Sequence, residues 1–254
     1  IDGEWAGQSS YVIKKILREK LGFKWLVMSD WNSVWDLEKV IKSGQNLEMP
    51  GSYNFGVSVL DLYHEKKITE KDLDDMIRPT LATCVAMGFY SRPKYDTTLL
   101  SKYPEHEQTA RRVAEEGVVL LKNRNEILPL DPTKNRKILL TGKFVYEIPR
   151  GYGAAEVIGY NNVSLIDALQ KVFGRTVYYI EKPTVAEIKE ADVVLLSMGT
   201  RDKEAVERPF ALPREDESFM RYITKNNPNT IAIINTGSAI DMSAWNEQLA
   251  ALIY

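Results

Sequence analysis

The sequence predicts an α/β protein in two parts, each built on parallel strands covered by helices. Three observations predict it. Short apolar runs, such as residues 23–28, 193–199 and 230–237, alternate with amphipathic stretches. Near-continuous apolar strands between amphipathic helices mark a parallel sheet covered on both faces. A polar stretch at about 91–104, with Pro93 and Pro104, interrupts the alternation and reads as a surface linker.

The first element is a helix capped by Ser9 or Ser10. Val12, Ile13, Ile16, Leu17 and Leu21 form its apolar stripe, Lys14, Lys15, Arg18 and Glu19 its other face, and Gly22 its stop. The apolar run 23–28 follows as a buried strand, ending at Ser29-Asp30-Trp31. A helix over 34–43, Gly44 and a short strand over 46–49 repeat the rhythm, closed by Pro50-Gly51. A helix over about 55–66 comes next. Thr69-Glu70-Lys71-Asp72 then caps a helix running toward Met87, with a pause expected at Pro79.

A helix over 105–117 leads into 118–122, and Leu128-Pro129-Leu130-Asp131-Pro132 punctuates the approach to the second part. There, strands are expected at 137–142, 176–180, 193–199 and 230–237, with another beginning at 249. Helices are expected at 163–173, 185–190 and 215–226, and a helical turn at 239–247.

Composition narrows the function. The 33 basic and 35 acidic residues leave a net charge of −2, with no field to draw nucleic acid or an anionic membrane. Apolar runs such as 192–198 and 230–235 are too short to span a bilayer. One cysteine, Cys84, permits no intramolecular disulfide and reads as a small core side chain. No charged-then-apolar leader opens the chain, and secreted, periplasmic and cytoplasmic locations all stay open. His64 and His106 lack metal-ligand spacing and read as surface or helix-packing residues. The Gly151/Gly153 loop lacks the Lys-Ser/Thr of a phosphate cradle.

Asp30 stands where an apolar strand leaves its core, which is where α/β folds place reacting groups. From position alone it reads as nucleophile, metal ligand or helix cap, with the cap or another structural role ahead of catalysis. Trp31 beside it could stack on a sugar ring or fill a core.

The whole pattern is more specific. LGFKWLVMSDW at 21–31 resembles the signature of glycoside hydrolase family 3, in which a helix ends in Leu-Gly-Phe and the next strand in Ser-Asp-Trp. SGQNLEMPG (43–51), LDDMIR (73–78), ARRVAEEGVVLLKNRNEILPL (110–130) and RGYGAAEV (150–157) are similar to successive segments of that family, as are 199–213 and 227–237. The resemblance implies the last units of a (β/α)8-type barrel over residues 1–104, then an α/β sandwich over 105–254. The missing upstream barrel sequence of the same protein would complete the first part.

The implied activity is retaining removal of β-linked sugars from non-reducing ends. Asp30 would attack the anomeric carbon and form a covalent glycosyl-enzyme, while a second carboxyl protonates the leaving oxygen and then activates water. In a retaining pair the two carboxyls lie about 5–5.5 Å apart. The resemblance implies neither metal nor organic cofactor. It points first to a β-glucosidase, with β-xylosidase, β-glucan exohydrolase, β-glycoside phosphorylase or a catalytically incompetent fragment as alternatives.

Trp31 would contact substrate. Glu204, Glu207 and Arg208 match the family's Glu-Gly-x-Asp-Arg loop, with Ala205 for Gly and Glu207 for Asp, and are expected at the site's edge; a solvated loop is the alternative. Ala154 stands where the family often has Ser. The acid/base glutamate is expected beyond Tyr254. The expected partner is a β-linked oligosaccharide or glycoside.

Overall fold

The computed structural model describes residues 1–51, 55–134 and 136–254, the side chains of Val57 and Ala155 excepted. The chain divides into two compact units, Ile1–Tyr103 and Pro104–Tyr254.

Unit 1 opens with a helix over Tyr11–Lys20 that closes in a wide turn, Leu21 N–H donating to Ile16 O at 2.9 Å. Ser9 Oγ accepts from Val12 N–H. Ile13 is the buried member of the expected stripe, whereas Leu21 points to solvent. Strand β1, Met28–Trp31, pairs in parallel with β2, Leu47–Met49. Between them lies α1, Leu37–Ser43, capped by Asp36 and ended by Gly44 at φ 91°. Helices α2, Val57–His64, and α3, Glu70–Ala86, complete the unit. The Thr69 and Asp72 side chains form the capping box at the start of α3. Ile41, Ile68 and Met76 form its small core, with Leu37, Leu62 and Leu73 packed on it.

Two expectations change here. The run 23–28 is not the strand; the ladder begins at Met28. The backbone before it is satisfied by side chains instead, Leu26 N–H by Thr83 Oγ1 (2.9 Å) and Val27 N–H by Asn46 Oδ1 (2.9 Å). Nor does α3 pause at Pro79. A proline removes the N–H that would meet the carbonyl four residues earlier. That carbonyl, of Asp75, accepts instead from Asn46 Nδ2 at 3.3 Å, and the same nitrogen donates to Met76 O at 3.0 Å. Asn46 Oδ1 also accepts from Arg18 Nη2 at 2.7 Å. One buried amide thereby ties the first helix, the approach to β1 and α3 together. Cys84, expected in the core, is half-buried.

Unit 2 is a six-stranded sheet in the order β3-β8-β7-β6-β4-β5. Its strands are β3 Leu120–Asn123, β4 Ile138–Gly142, β5 Val177–Tyr179, β6 Val193–Gly199, β7 Thr230–Asn235 and β8 Ala251–Ile253. All neighbours run parallel except β3, which is antiparallel to β8. The helices are α4 Tyr103–Gly117, whose start lies at the boundary between the units, α5 Leu165–Phe173, α6 Val185–Glu190 and α7 Arg214–Asn226. Side chains alternate along β6. Val194, Leu196 and Met198 join a cluster with Ile188 of α6 and Met220 and Ile223 of α7, whereas Val193 and Leu195 join one with Ile166 of α5. Both faces are covered, which is why β6 reads as a near-continuous apolar run. The helical turn expected over 239–247 reduces to a 3-10 turn at Asn246–Gln248. Asp241 is held extended, its N–H donating to Phe210 O at 2.9 Å.

The chain leaves β4 for β5 on one side, then returns through α6 to β6 on the other. Loops after β4 and β6 therefore diverge at the carboxyl ends of the strands, where such sheets bind ligands. Gly142 and Gly199 let them leave: a Cβ would lie 2.1 Å from Ser197 O and 1.8 Å from Asn235 O, at φ 109° and 144°.

Candidate active site

In unit 1 the chemistry centres on the carboxyl end of β1. Met28 pairs with Leu47 and Trp31 with Met49, so β1 takes three steps where β2 takes two. The extra residue makes a β-bulge. Buried Ser29 fills it: its Oγ accepts from Met49 N–H at 2.8 Å and donates to Asp30 O at 2.7 Å. Asn32 N–H then donates to Met49 O at 2.9 Å. Past the bulge the in-out alternation fails, and Asp30 and Trp31 are both exposed. Asp30 Oδ1 accepts from Trp31 N–H at 2.7 Å, and among the described residues Oδ2 has no hydrogen-bond partner. Asp30 is not a helix cap; Asp36 caps α1 through Lys39 N–H. Trp31 is 57% exposed, and Trp35 on the following loop stacks on Trp5 with ring centres 5.1 Å apart.

In unit 2 an open groove of about 880 Å³ lies on the loops following β4, β6 and β7, with Tyr152, Lys203, Glu204, Glu207, Phe210 and Ser238 along it. Its floor is organised by Asp202. Burial opposes ionisation there, but hydrogen bonds from Arg208, Thr200 and the Gly237 N–H outweigh it and hold the carboxyl at about 2. Oδ1 receives Arg208 Nε; Oδ2 receives Thr200 Oγ1 (2.6 Å) and Gly237 N–H (2.7 Å). The rest of the Arg208 guanidinium is spent on the same loops, Nη1 on Pro209 O (3.0 Å), Nη2 on Thr236 Oγ1 (2.9 Å) and Ser238 Oγ (2.8 Å). Arg208 therefore lies inside the loop cluster, whereas the Glu204 and Glu207 side chains stand exposed along the groove.

The β4 loop is stitched to the β6 loop. Tyr152 N–H donates to Asp202 O at 3.1 Å, and Tyr152 Oη donates to Glu147 Oε1 at 2.9 Å. Glu147 also pairs with Arg201, whose hydrogen bonds hold its carboxyl below the usual carboxylate range. Ala205 sits at φ 59°, the left-handed region that favours glycine. Among the described residues no group of three or more His, Cys, Asp or Glu is placed to hold a metal ion, and no helix is long and apolar enough to cross a membrane.

Sequence reasoning missed Ser29, Asp202 and Glu147. The first sits inside the recognised segment but acts through β2. The other two carry no spacing signal, because their partners come from separate loops.

Comparison with known proteins agrees with this architecture. The exo-alpha-(1->6)-L-arabinopyranosidase of Bifidobacterium breve is 26% identical over 283 aligned positions, covering 100% of this chain and 36% of that protein. Beta-glucosidase B of Emericella nidulans is 28% identical, covering 70% of this chain and 22% of its own length. The chain thus spans about a third or less of these relatives. Among solved structures, the β-glucosidase of Listeria innocua superposes with a TM-score of 0.84 at 22% identity, over 100% of this chain and 39% of that one, a likeness of fold. The sequence profile of the glycosyl hydrolase family 3 C-terminal domain matches residues 118–254. With that domain filling over half its length, the chain belongs to glycosyl hydrolase family 3.

Proposed function

We propose that the chain is the nucleophile-bearing portion of a retaining, exo-acting β-glycosidase, a β-glucosidase by substrate class. Residues 1–104 are the last units of a (β/α)8-type barrel and residues 105–254 the α/β sandwich. The observation that carries the reading is the exposed Asp30 carboxylate at the carboxyl end of a parallel strand, with one oxygen held by a backbone N–H and the other unengaged among the described residues. Asp30 Oδ2 bonds to the anomeric carbon as the bond to the aglycone oxygen breaks. The electron pair leaves with that oxygen, which takes its proton from a second carboxylic acid. Water activated by the same group then releases the sugar with retained configuration.

Trp31 offers an indole face to the sugar. Glu204 and Glu207 offer acceptors to sugar hydroxyls along the groove of unit 2. Arg208, spent on Asp202, Thr236 and Ser238, serves by holding the loop that carries them. Relatives of full coverage named as arabinopyranosidases favour a second reading, a pentopyranoside whose aglycone is likewise equatorial.

The test uses the complete polypeptide. Aryl β-glucoside and aryl α-L-arabinopyranoside are compared as substrates, and a 2-fluoro-glycosyl fluoride of the better sugar is used to trap the enzyme. Peptide mapping is expected to find the sugar ester on Asp30. Asp30→Ala is expected to lose turnover by about 10³-fold or more, with azide restoring it as an α-glycosyl azide. A label elsewhere, or full activity in Asp30→Ala, overturns the assignment.

A further inference from the structure

We infer that Ser29 is a positioning residue for Asp30, holding the bulge that sets the direction of the attacking carboxylate. The inference rests on Asp30 being the nucleophile. In a regular strand, successive side chains point to opposite faces, and residues 29 and 31 would share one. Here Ser29 is buried while Asp30 and Trp31 are both exposed, so the alternation is broken between them.

The break is held by one hydroxyl. Met49 N–H, which in an unbroken ladder would meet a β1 carbonyl, reaches Ser29 Oγ at 2.8 Å, and Oγ passes its own proton to Asp30 O at 2.7 Å. Ser29 thus acts as an inserted acceptor and donor that widens the ladder by one group. It also fixes the Asp30 peptide from the carbonyl side. The Trp31 N–H fixes the carboxylate from the other side through Oδ1. Together the two contacts leave Oδ2 as the atom presented.

Removing the hydroxyl leaves the partly buried Met49 N–H without its acceptor. The ladder can recover it only by closing the bulge. A one-residue slip of register sends a side chain to the opposite face of its sheet. The carboxylate would turn toward the face that Ser29 now occupies, away from substrate. No other side chain among the described residues bridges Met49 N–H to the Asp30 peptide.

The experiment compares wild type, Ser29→Ala, Ser29→Thr and Ser29→Cys in the complete polypeptide. It reads kcat, KM, the rate of trapping by the fluoro-sugar and deuterium exchange at the Met49 amide. Ser29→Ala is expected to slow trapping and kcat together by about 10–100-fold, with KM within about threefold of wild type. The Met49 amide is expected to lose protection. Ser29→Thr, which keeps the oxygen, is expected to trap within about threefold of wild type. If Ser29→Ala does not fold, Cys replaces it, with trapping expected at least about fivefold slower than Thr, because a thiol is a weak donor and acceptor.

Trapping on Asp30 in wild type at a rate unchanged in Ser29→Ala, or equally slow in Thr and Ala, overturns the role of Ser29 alone. Failure of wild type to be labelled on Asp30 overturns the nucleophile reading and this inference with it.

Discussion

Replacing Asp202 by Asn tests whether one carboxylate organises the groove of unit 2. The change keeps the shape and removes the charge. In the native loop Oδ1 faces Arg208 Nε–H, and Oδ2 faces the Thr200 hydroxyl and the Gly237 N–H. An amide offers one oxygen and one NH2, so whichever way it is flipped a donor meets a donor. The magnitude follows from the carboxyl held at about 2 against an ordinary 3.8, which corresponds to about 2 kcal/mol of preferential stabilisation of the charged form. The opposed donors add about 1–2 kcal/mol. A loss of about 3–4 kcal/mol at pH 7 is expected. Its pH dependence carries the sign. The folded-state value lies below the unfolded one, so the contribution is complete above about pH 5 and is lost as pH falls through 4 toward 2. The gap between wild type and Asp202→Asn should therefore narrow by about 1 kcal/mol between pH 7 and pH 3. Urea unfolding followed by circular dichroism measures the gap, and amide exchange at Gly237 localises it. A gap under about 0.5 kcal/mol at pH 7, or one that stays constant down to pH 3, refutes the reasoning.

Two further changes probe the same physics elsewhere. Ala205→Gly relieves a left-handed φ of 59° and is expected to raise the unfolding free energy by about 0.5–1 kcal/mol, read as a higher urea midpoint; a lower midpoint would count against the strain. Asn46→Leu leaves the Val27 N–H and the Asp75 carbonyl beside Pro79 unpaired. It should cost about 3 kcal/mol and expose the Met76–Phe89 backbone to faster amide exchange; an unchanged exchange pattern would show that α3 passes Pro79 without that amide.

Much of the fold was legible because its signals are local. The Thr69/Asp72 capping box involves residues three apart, and its helix begins where those residues indicate. The apolar run of β6 is buried on both faces and reads as such. The segment ending in Ser29-Asp30-Trp31 marks the end of a strand, and Asp30 stands there.

What stayed hidden depends on partners distant along the chain. The start of β1 is set by pairing with Leu47, and its bulge by Met49 N–H reaching Ser29. The passage of α3 through Pro79 depends on an amide 33 residues upstream at Asn46. Arg208 carries the pattern of a site residue, but its environment is decided by Asp202, Thr236 and Ser238, brought to it by loops after different strands. The sequence by itself determined most of the helices, the apolar strands of unit 2 and the segment that carries Asp30, because propensity and periodicity act between near neighbours. Tertiary structure alone decided register, the direction of β3 and the partner of each buried polar group, because a donor without water must find whichever acceptor the fold brings near.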